Sequence, residues 1–393
     1  MPKTRKQLTV QLGITQTIGY ASSYYLSAIL AEPISRDLGF RFENYFGYVA
    51  LASILGGLLG PILGKQIDRF GGRVVLPAAS VLFAIGLGLM SLATDPISFG
   101  AAWLVVGIAM AAGLYDAAFA SAVEILGDQA RRTIAGITLI AGFASTIGWP
   151  ITSWIEGKFS WREALLFWAI THILISLPLH LSLPGGKRDQ RHGRRSLRAA
   201  TGQDAAPVSR VLVVLTSALF VFGGFVQVAM GAHLPLVIDI AGASGEFALL
   251  AATLLGPGQV LARLLQVIFP ELLTPVLVAV LALVLHPIGA SALALYNELG
   301  YVAFAFLHGM GSGFLTVAAG VLPLHLFGSK NYGHRQGHIM AASDILLSFA
   351  PVIFGLALVE MGILSLTLSI SSSLVALAIL MFLVRQHRET SRL

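Results

Sequence analysis

Of 393 residues, 56% are hydrophobic and 11% charged, with mean hydropathy +0.82; a soluble domain carries about 25% charged residues, so that class is excluded. Continuous apolar runs of about 20 residues, each able to cross a hydrocarbon core of ~30 Å, recur along the chain and exclude the alternating strands of a β-barrel. Cysteine is absent, which removes disulfides and thiolate chemistry, and the net charge of +6 sits between the apolar runs.

The N-terminus, MPKTRKQLTV, is basic and then apolar, like a signal peptide. Its apolar run continues to Ala31 without an A-x-A site, so it reads as a retained first span. Spans are expected at 8–31, 44–64, 74–94, 97–125, 134–156 and 162–183. A second set follows at 210–238, 246–268, 272–293, 297–327, 337–360 and 363–384. The expected fold class is an all-α polytopic membrane protein with about twelve transmembrane helices. They fall into two six-helix bundles, 1–184 and 210–393, joined by a basic cytoplasmic linker at 185–209. That linker, GGKRDQRHGRRSLRAATGQDAAPVS, has almost nothing to bury and is expected to be mobile. It reads as a membrane-surface segment rather than a nucleic-acid patch.

Lysine and arginine set the orientation. With both termini cytoplasmic, twenty-one of them fall inside and only Arg36, Arg41, Lys158 and Arg162 outside. An internal repeat supports the same division. LLGP at Leu58–Pro61 recurs at Leu254–Pro257, and Gly127, Gly136 and Pro150 match Gly328, Gly337 and Pro351. Parallel repeats of this kind are a transporter architecture.

Between spans two and three lies GKQIDRFGGR, Gly64–Arg73. Gly64 and Gly71 permit close approach and a tight turn, and Asp68 sits among Arg69 and Arg73. This loop resembles the signature loop of the major facilitator superfamily, with Gly72 where a further basic residue is common. The resemblance implies two bundles rocking around a central site, with the cluster latching them when the cytoplasmic side is closed. The alternative is a solvated positive-inside turn. Ser160–Glu163, SWRE, resembles the W-R preceding the sixth span, whereas GPGQVLAR, Gly256–Arg263, stands at the repeat of the loop without its aspartate. Glu124, near Arg131 and Arg132, joins the charge cluster by resemblance or is an ordinary interfacial acid. Asp344 reads as gating or as an acid tolerated near a helix start.

The same resemblance implies that spans one, four, seven and ten line the cavity. Gln16, Tyr20, Tyr24 and Ser27 share one face of span one, and His308, Ser312 and Thr316 one face of span ten. Span seven offers Ser217, Gly224 and Gln227; span four offers Tyr115 and Asp116. Asp116 lies eleven residues before Gly127, ~16 Å along a helix and so near mid-membrane. An aspartate there costs ~2.5–3.5 kcal/mol on insertion scales and normally faces a wet or paired interior. Asp116 is therefore the expected proton-coupling carboxylate, the alternative being a packing residue. His308 is an expected cavity residue or a core histidine; His180, His233, His286 and His325 are explained by placement near helix ends and His172 by a peripheral span.

No His/Asp/Glu group has metal-ligand spacing, and no nucleotide loop or nucleophile motif is present, so neither cofactor nor enzyme activity is expected. The reading is a monomeric secondary transporter in the cell (cytoplasmic or inner) membrane, moving a small organic solute by alternating access with proton coupling. Gln16, Tyr20, Tyr24, Tyr115, Gln227, His308, Ser312 and Thr316 are the expected substrate contacts, with membrane lipid as surroundings. A tyrosine-rich cavity without a central cation favours a neutral, aromatic or weakly cationic solute. The alternatives are a monocarboxylate or other organic-anion carrier using Arg263 or hydrogen bonds for the carboxylate, a multidrug exporter of the same fold, or, outside transport, a membrane receptor or enzyme.

Overall fold

The computed structural model describes residues 3–184, 209–295 and 297–390, and every regular element among them is helical. In the first half these are α1 (Lys3–Ala21), α2 (Ser27–Asp37), α3 (Phe42–Phe70), α4 (Gly72–Ser91), α5 (Pro96–Gly113) and α6 (Tyr115–Leu126). They continue as α7 (Arg131–Ala141), α8 (Ala144–Lys158), α9 (Trp161–Thr171) and α10 (Leu177–Leu181). The second half holds α11 (Arg210–Ile240), α12 (Gly245–Ala252), α13 (Leu255–Ile268), α14 (Pro275–Ala292) and α15 (Glu298–Phe327). It ends with α16 (Tyr332–Leu346), α17 (Ala350–Met361) and α18 (Leu366–Thr390). The expected linker at 185–209 lies outside the described residues except for Ser209.

Nine runs among the described residues are long and apolar enough to cross a membrane. Two of them, Pro96–Lys158 and Tyr332–Glu389, hold 63 and 58 residues; each is far longer than the ~20 residues one crossing needs. The first helix, with its three basic residues and three glutamines, falls outside that group. The protein is thus an all-α polytopic membrane protein.

The described chain divides into two compact units. The first contains 3–184 together with Ser329–Ala341. Within it α1 packs on α7, α3 and α4 on α5, and α9 on α4, around a buried core that includes Tyr45, Phe83, Phe99, Trp103 and Trp168. The second contains Ser209–Gly328 and 342–390. There α15 packs on α13 and α14, and α18 on α11 and α14, around Met230, Tyr301, Phe304 and Phe354.

Several expected helices are interrupted, and three of the differences bear on the site. The first span breaks over 22–26, so Gln16, Tyr20, Tyr24 and Ser27 do not share one continuous face. The Ser22 and Ser23 hydroxyls both donate to the Gly19 carbonyl (3.2 and 2.6 Å), competing with the helical ladder, and Tyr25 N–H reaches back five residues to Tyr20. The fourth span breaks at Leu114, whose backbone is extended (φ −83°, ψ −164°). Helix α16 starts at Tyr332, five residues before the expected 337, because a distant carboxylate caps it.

Candidate functional site

The break at Leu114 separates α5 from α6 and puts Tyr115 and Asp116 in the first turn of a half-helix. The break removes the helical partner of the Gly113 carbonyl, and Gln16 Nε2 supplies one at 2.7 Å. Gln16 is fully buried by this contact. The positive end of the α6 dipole favours a carboxylate in that first turn. Asp116 Oδ1 accepts a hydrogen bond from Gln336 Nε2 at 2.9 Å, and buried Tyr332 lies within electrostatic reach of Asp116. Gln336 and Tyr332 sit on the part of α16 that packs with the first unit.

Aromatic rings gather beside this break. Tyr20 lies 4.6 Å from Tyr115 and stacks on Tyr24 at 5.7 Å, and Tyr115 stacks on Phe119 at 5.2 Å. Tyr24 is 47% exposed, so the cluster has one accessible edge. Trp149 Nε1 donates to the Tyr25 carbonyl at 3.0 Å, holding the turn of 22–26 in place.

The signature loop is built by steric exclusion and by capping. Gly71 joins α3 to α4 at φ +85°, a conformation that favours glycine, and the Glu124 carboxylate lies against it. Gly60 and Gly64 on α3 meet Gly337 and Gly333 on α16 so closely that a Cβ on Gly64 would overlap the Gly333 carbonyl. Asp68 then accepts the backbone N–H groups of Gly333 (2.9 Å) and His334 (2.7 Å), two of the donors a helix start leaves without partners. His334 Nδ1 donates to the Pro61 carbonyl at 3.0 Å. Arg69, Arg73 and Arg131 are exposed; Arg69 lies over the Phe70 ring at 4.9 Å.

In the second unit, Gln227 Nε2 donates to Thr316 Oγ1 (3.4 Å), Thr316 to the Ser312 carbonyl (3.0 Å), and Gln259 Nε2 to Ser312 Oγ (3.1 Å). Thus Gln227, Ser312 and Thr316 come together, with Gln259 added. His308 is buried and bonded to His286. Asp344 is half-buried in this unit, and its carbonyl accepts the Ser348 hydroxyl. Arg263 is only 6% exposed and, among the described residues, forms no hydrogen bond or ion pair. Burial of an unpaired cation is expensive.

Sequence reasoning missed Gln336, His334, Tyr332 and Gly333. The spacing Gly333–Gly337 mirrors Gly60–Gly64 and was the available signal.

The family model of the Major Facilitator Superfamily matches residues 12–296. The chain belongs to that superfamily. A curated relative, a triacylglyceride transporter of Mycobacteroides abscessus, is 25% identical over 221 residues, which are 51% of this chain and 41% of that relative. The match therefore spans less than half of the relative's length. Among solved structures, the proton:xylose symporter XylE bound to 6-bromo-6-deoxy-D-glucose is similar with TM-score 0.69 and 16% identity, over 97% of this chain and 95% of that one. The human organic anion transporter MFSD10 (TETRAN) is similar with TM-score 0.66 and 15% identity, over 98% and 100%. At those identities the likeness shows the fold alone.

Proposed function

We propose that this protein is a proton-coupled secondary transporter that moves a small organic solute across the cell membrane by alternating access. It works as a monomer with both termini cytoplasmic, and as a carrier rather than an enzyme. The observation that carries the reading is Asp116 in the first turn of a half-helix, held by Gln336. Discontinuous membrane helices are where transporters of several folds place substrate and ions, and a carboxyl at such depth is normally functional. Protonation of Asp116 removes the charge that Gln336 and the α6 dipole stabilise. The proton thereby weakens the tie between α6 and α16. The rings of Tyr20, Tyr24 and Tyr115 offer the solute stacking faces, while Gln227, Ser312 and Thr316 offer hydrogen bonds. Asp68, Gly64, Gly71, Arg69, Arg73, Glu124 and Arg131 serve as the cytoplasmic latch, with Asp344 as a second gating acid.

A second reading of the solute rests on Arg263. A guanidinium whose Nε is buried without a partner suits the carboxylate of an organic anion, which would supply the missing acceptor.

A thermal-shift screen of the purified protein against polyols, aromatic amines and mono- and dicarboxylates separates the two. A ligand at a hundred times its Kd adds about 2.7 kcal/mol of stability. Stabilisation by polyols or amines that survives Arg263→Gln supports the first reading of the solute. Stabilisation confined to carboxylates and lost in Arg263→Gln supports the second. In vesicles, accumulation of the hit that ignores an imposed pH gradient would overturn proton coupling.

A further inference from the structure

Two imidazoles are buried side by side in the second unit. His286 on α14 and His308 on α15 are each 2% exposed, and their Nδ1 atoms lie 3.1 Å apart. His286 Nε2 is 2.9 Å from Ser369 Oγ, and the Ser369 hydroxyl donates to the Leu366 carbonyl at 2.9 Å.

One serine carries one hydroxyl proton, and Leu366 takes it. Ser369 must then accept from His286, which fixes His286 as the Nε2–H tautomer. Its Nδ1 is left bare and must accept from His308 Nδ1–H. His308 Nε2 therefore carries a lone pair, and that atom is buried without a partner. The hydrogen bonds run in one direction, from His308 through His286 and Ser369 to Leu366, and leave a base at the head of the chain.

We propose that His286 and His308 form a proton-binding pair in the second unit, with His308 Nε2 as the accepting atom. A proton added there makes His308 an imidazolium whose Nδ1–H already points at the His286 lone pair. The neutral bond becomes charge-assisted, roughly doubling its strength. Buried His172 is bonded to Ser22 and buried His180 to Ser80; among the described residues neither is hydrogen-bonded to a second imidazole. Gln227, Ser312 and Ser373 line a small void with the pair, of about 10 Å³, the lower limit for one water.

Charged and titratable groups on the helices packed against the pair are Arg210, His233 and Asp239 on α11, Arg263 on α13, and Arg385, His387, Arg388 and Glu389 on α18. Glu298, Tyr301 and His325 lie on α15 itself. None of them bonds to either imidazole, so no carboxylate holds the pair charged. The site is neutral at rest and takes up one proton, separately from Asp116.

The test is ring-nitrogen NMR of the full-length protein, labelled with ¹⁵N-histidine in lipid nanodiscs, across roughly pH 4–8. His286→Gln and His308→Asn assign the signals. His308→Asn keeps a donor toward His286 Nδ1 while removing the base, so it separates proton binding from packing. The expected result is His286 as the Nε2–H and His308 as the Nδ1–H tautomer near pH 8, with one proton added at His308 Nε2 on acidification. That uptake is expected to vanish in His308→Asn and to persist in Asp116→Asn. The opposite tautomers, or two rings that stay neutral to pH 4 in the folded protein, would overturn the proposal. Neither result bears on Asp116, whose coupling role stands or falls in the transport assay.

Discussion

Gly64 on α3 and Gly333 on α16 meet backbone to backbone, with no room for a Cβ on Gly64 beside the Gly333 carbonyl. The contact repeats one turn away at Gly60 and Gly337. In lipid, helix association rests on close packing of small residues rather than on a hydrophobic force, so these pairs set the distance between the two helices. Gly64→Ala should therefore force them apart, at a cost of about 1–3 kcal/mol. A lowered thermal midpoint, together with faster labelling of a cysteine placed at Asn331, is the expected outcome. Gly47→Ala is the control, because nothing lies within 4 Å of its would-be Cβ; it should leave both readouts near wild type.

Asp68 supplies both acceptors for the first turn of α16. Asparagine keeps one oxygen but turns an NH₂ toward an N–H, so one bond is lost and the other loses its charge. Hydrogen bonds to charged groups contribute about 1.5–3 kcal/mol. Asp68→Asn should accordingly fray the start of α16, measured as faster amide exchange at Gly333 and His334. It should also shift cysteine accessibility toward the inward-open pattern. An unaltered pattern would reduce Asp68 to a turn residue.

The helical class, the membrane setting and the signature loop were legible because each depends on local composition or spacing. Hydropathy marks where a helix crosses, and Gly71 marks a turn that only a flexible backbone makes. What stayed hidden depends on partners far away in sequence. Asn331 is a residue type that starts helices, but nothing near residue 332 signals the cap itself, which comes from Asp68, more than two hundred residues earlier. The break at Leu114 carried only the weak signal of Gly113, and the compensating Gln16 lies 97 residues away. Tyr20 and Tyr115 were singled out from separate spans, yet only the fold brings their rings to 4.6 Å. The stripe of span one failed for a local reason that was readable, since paired serines at 22 and 23 compete for the helical carbonyls.

Gln16 is the sole side chain bonded to the Gly113 carbonyl among the described contacts. Gln16→Leu removes that donor with little change in volume, leaving a buried acceptor unsatisfied at a cost of about 1–3 kcal/mol. The expected outcome is a lower thermal midpoint and greater amide exchange around 113–116. A midpoint equal to wild type would mean that the broken helix is held by other contacts.

Asp95 provides the pH-dependent element outside the spans. Its carboxylate caps α5, and the Ser98 backbone N–H, then the Ser98 hydroxyl and the Ile97 N–H, hold its carboxyl below the usual range. A depressed folded value means the carboxylate stabilises the fold above the unfolded value of about 3.9, and the contribution fades as pH falls through the folded value. Asp95→Asn should flatten this acid limb in a thermal-midpoint series from about pH 6 down to 3. A limb of unchanged slope would place the acid sensitivity elsewhere.

Asp116→Asn separates binding from coupling. Asparagine retains an oxygen for Gln336 Nε2, so the geometry at the head of α6 should survive, but the side chain can no longer gain or lose a proton. A carrier fixed in the neutral state can still exchange solute for solute across a membrane. It cannot convert a proton gradient into accumulation. For a solute found in the stability screen, counterflow should therefore stay near wild type in Asp116→Asn. Gradient-driven uptake should be abolished. Loss of both activities would make Asp116 a binding or folding residue, and retention of both would move proton coupling to another group.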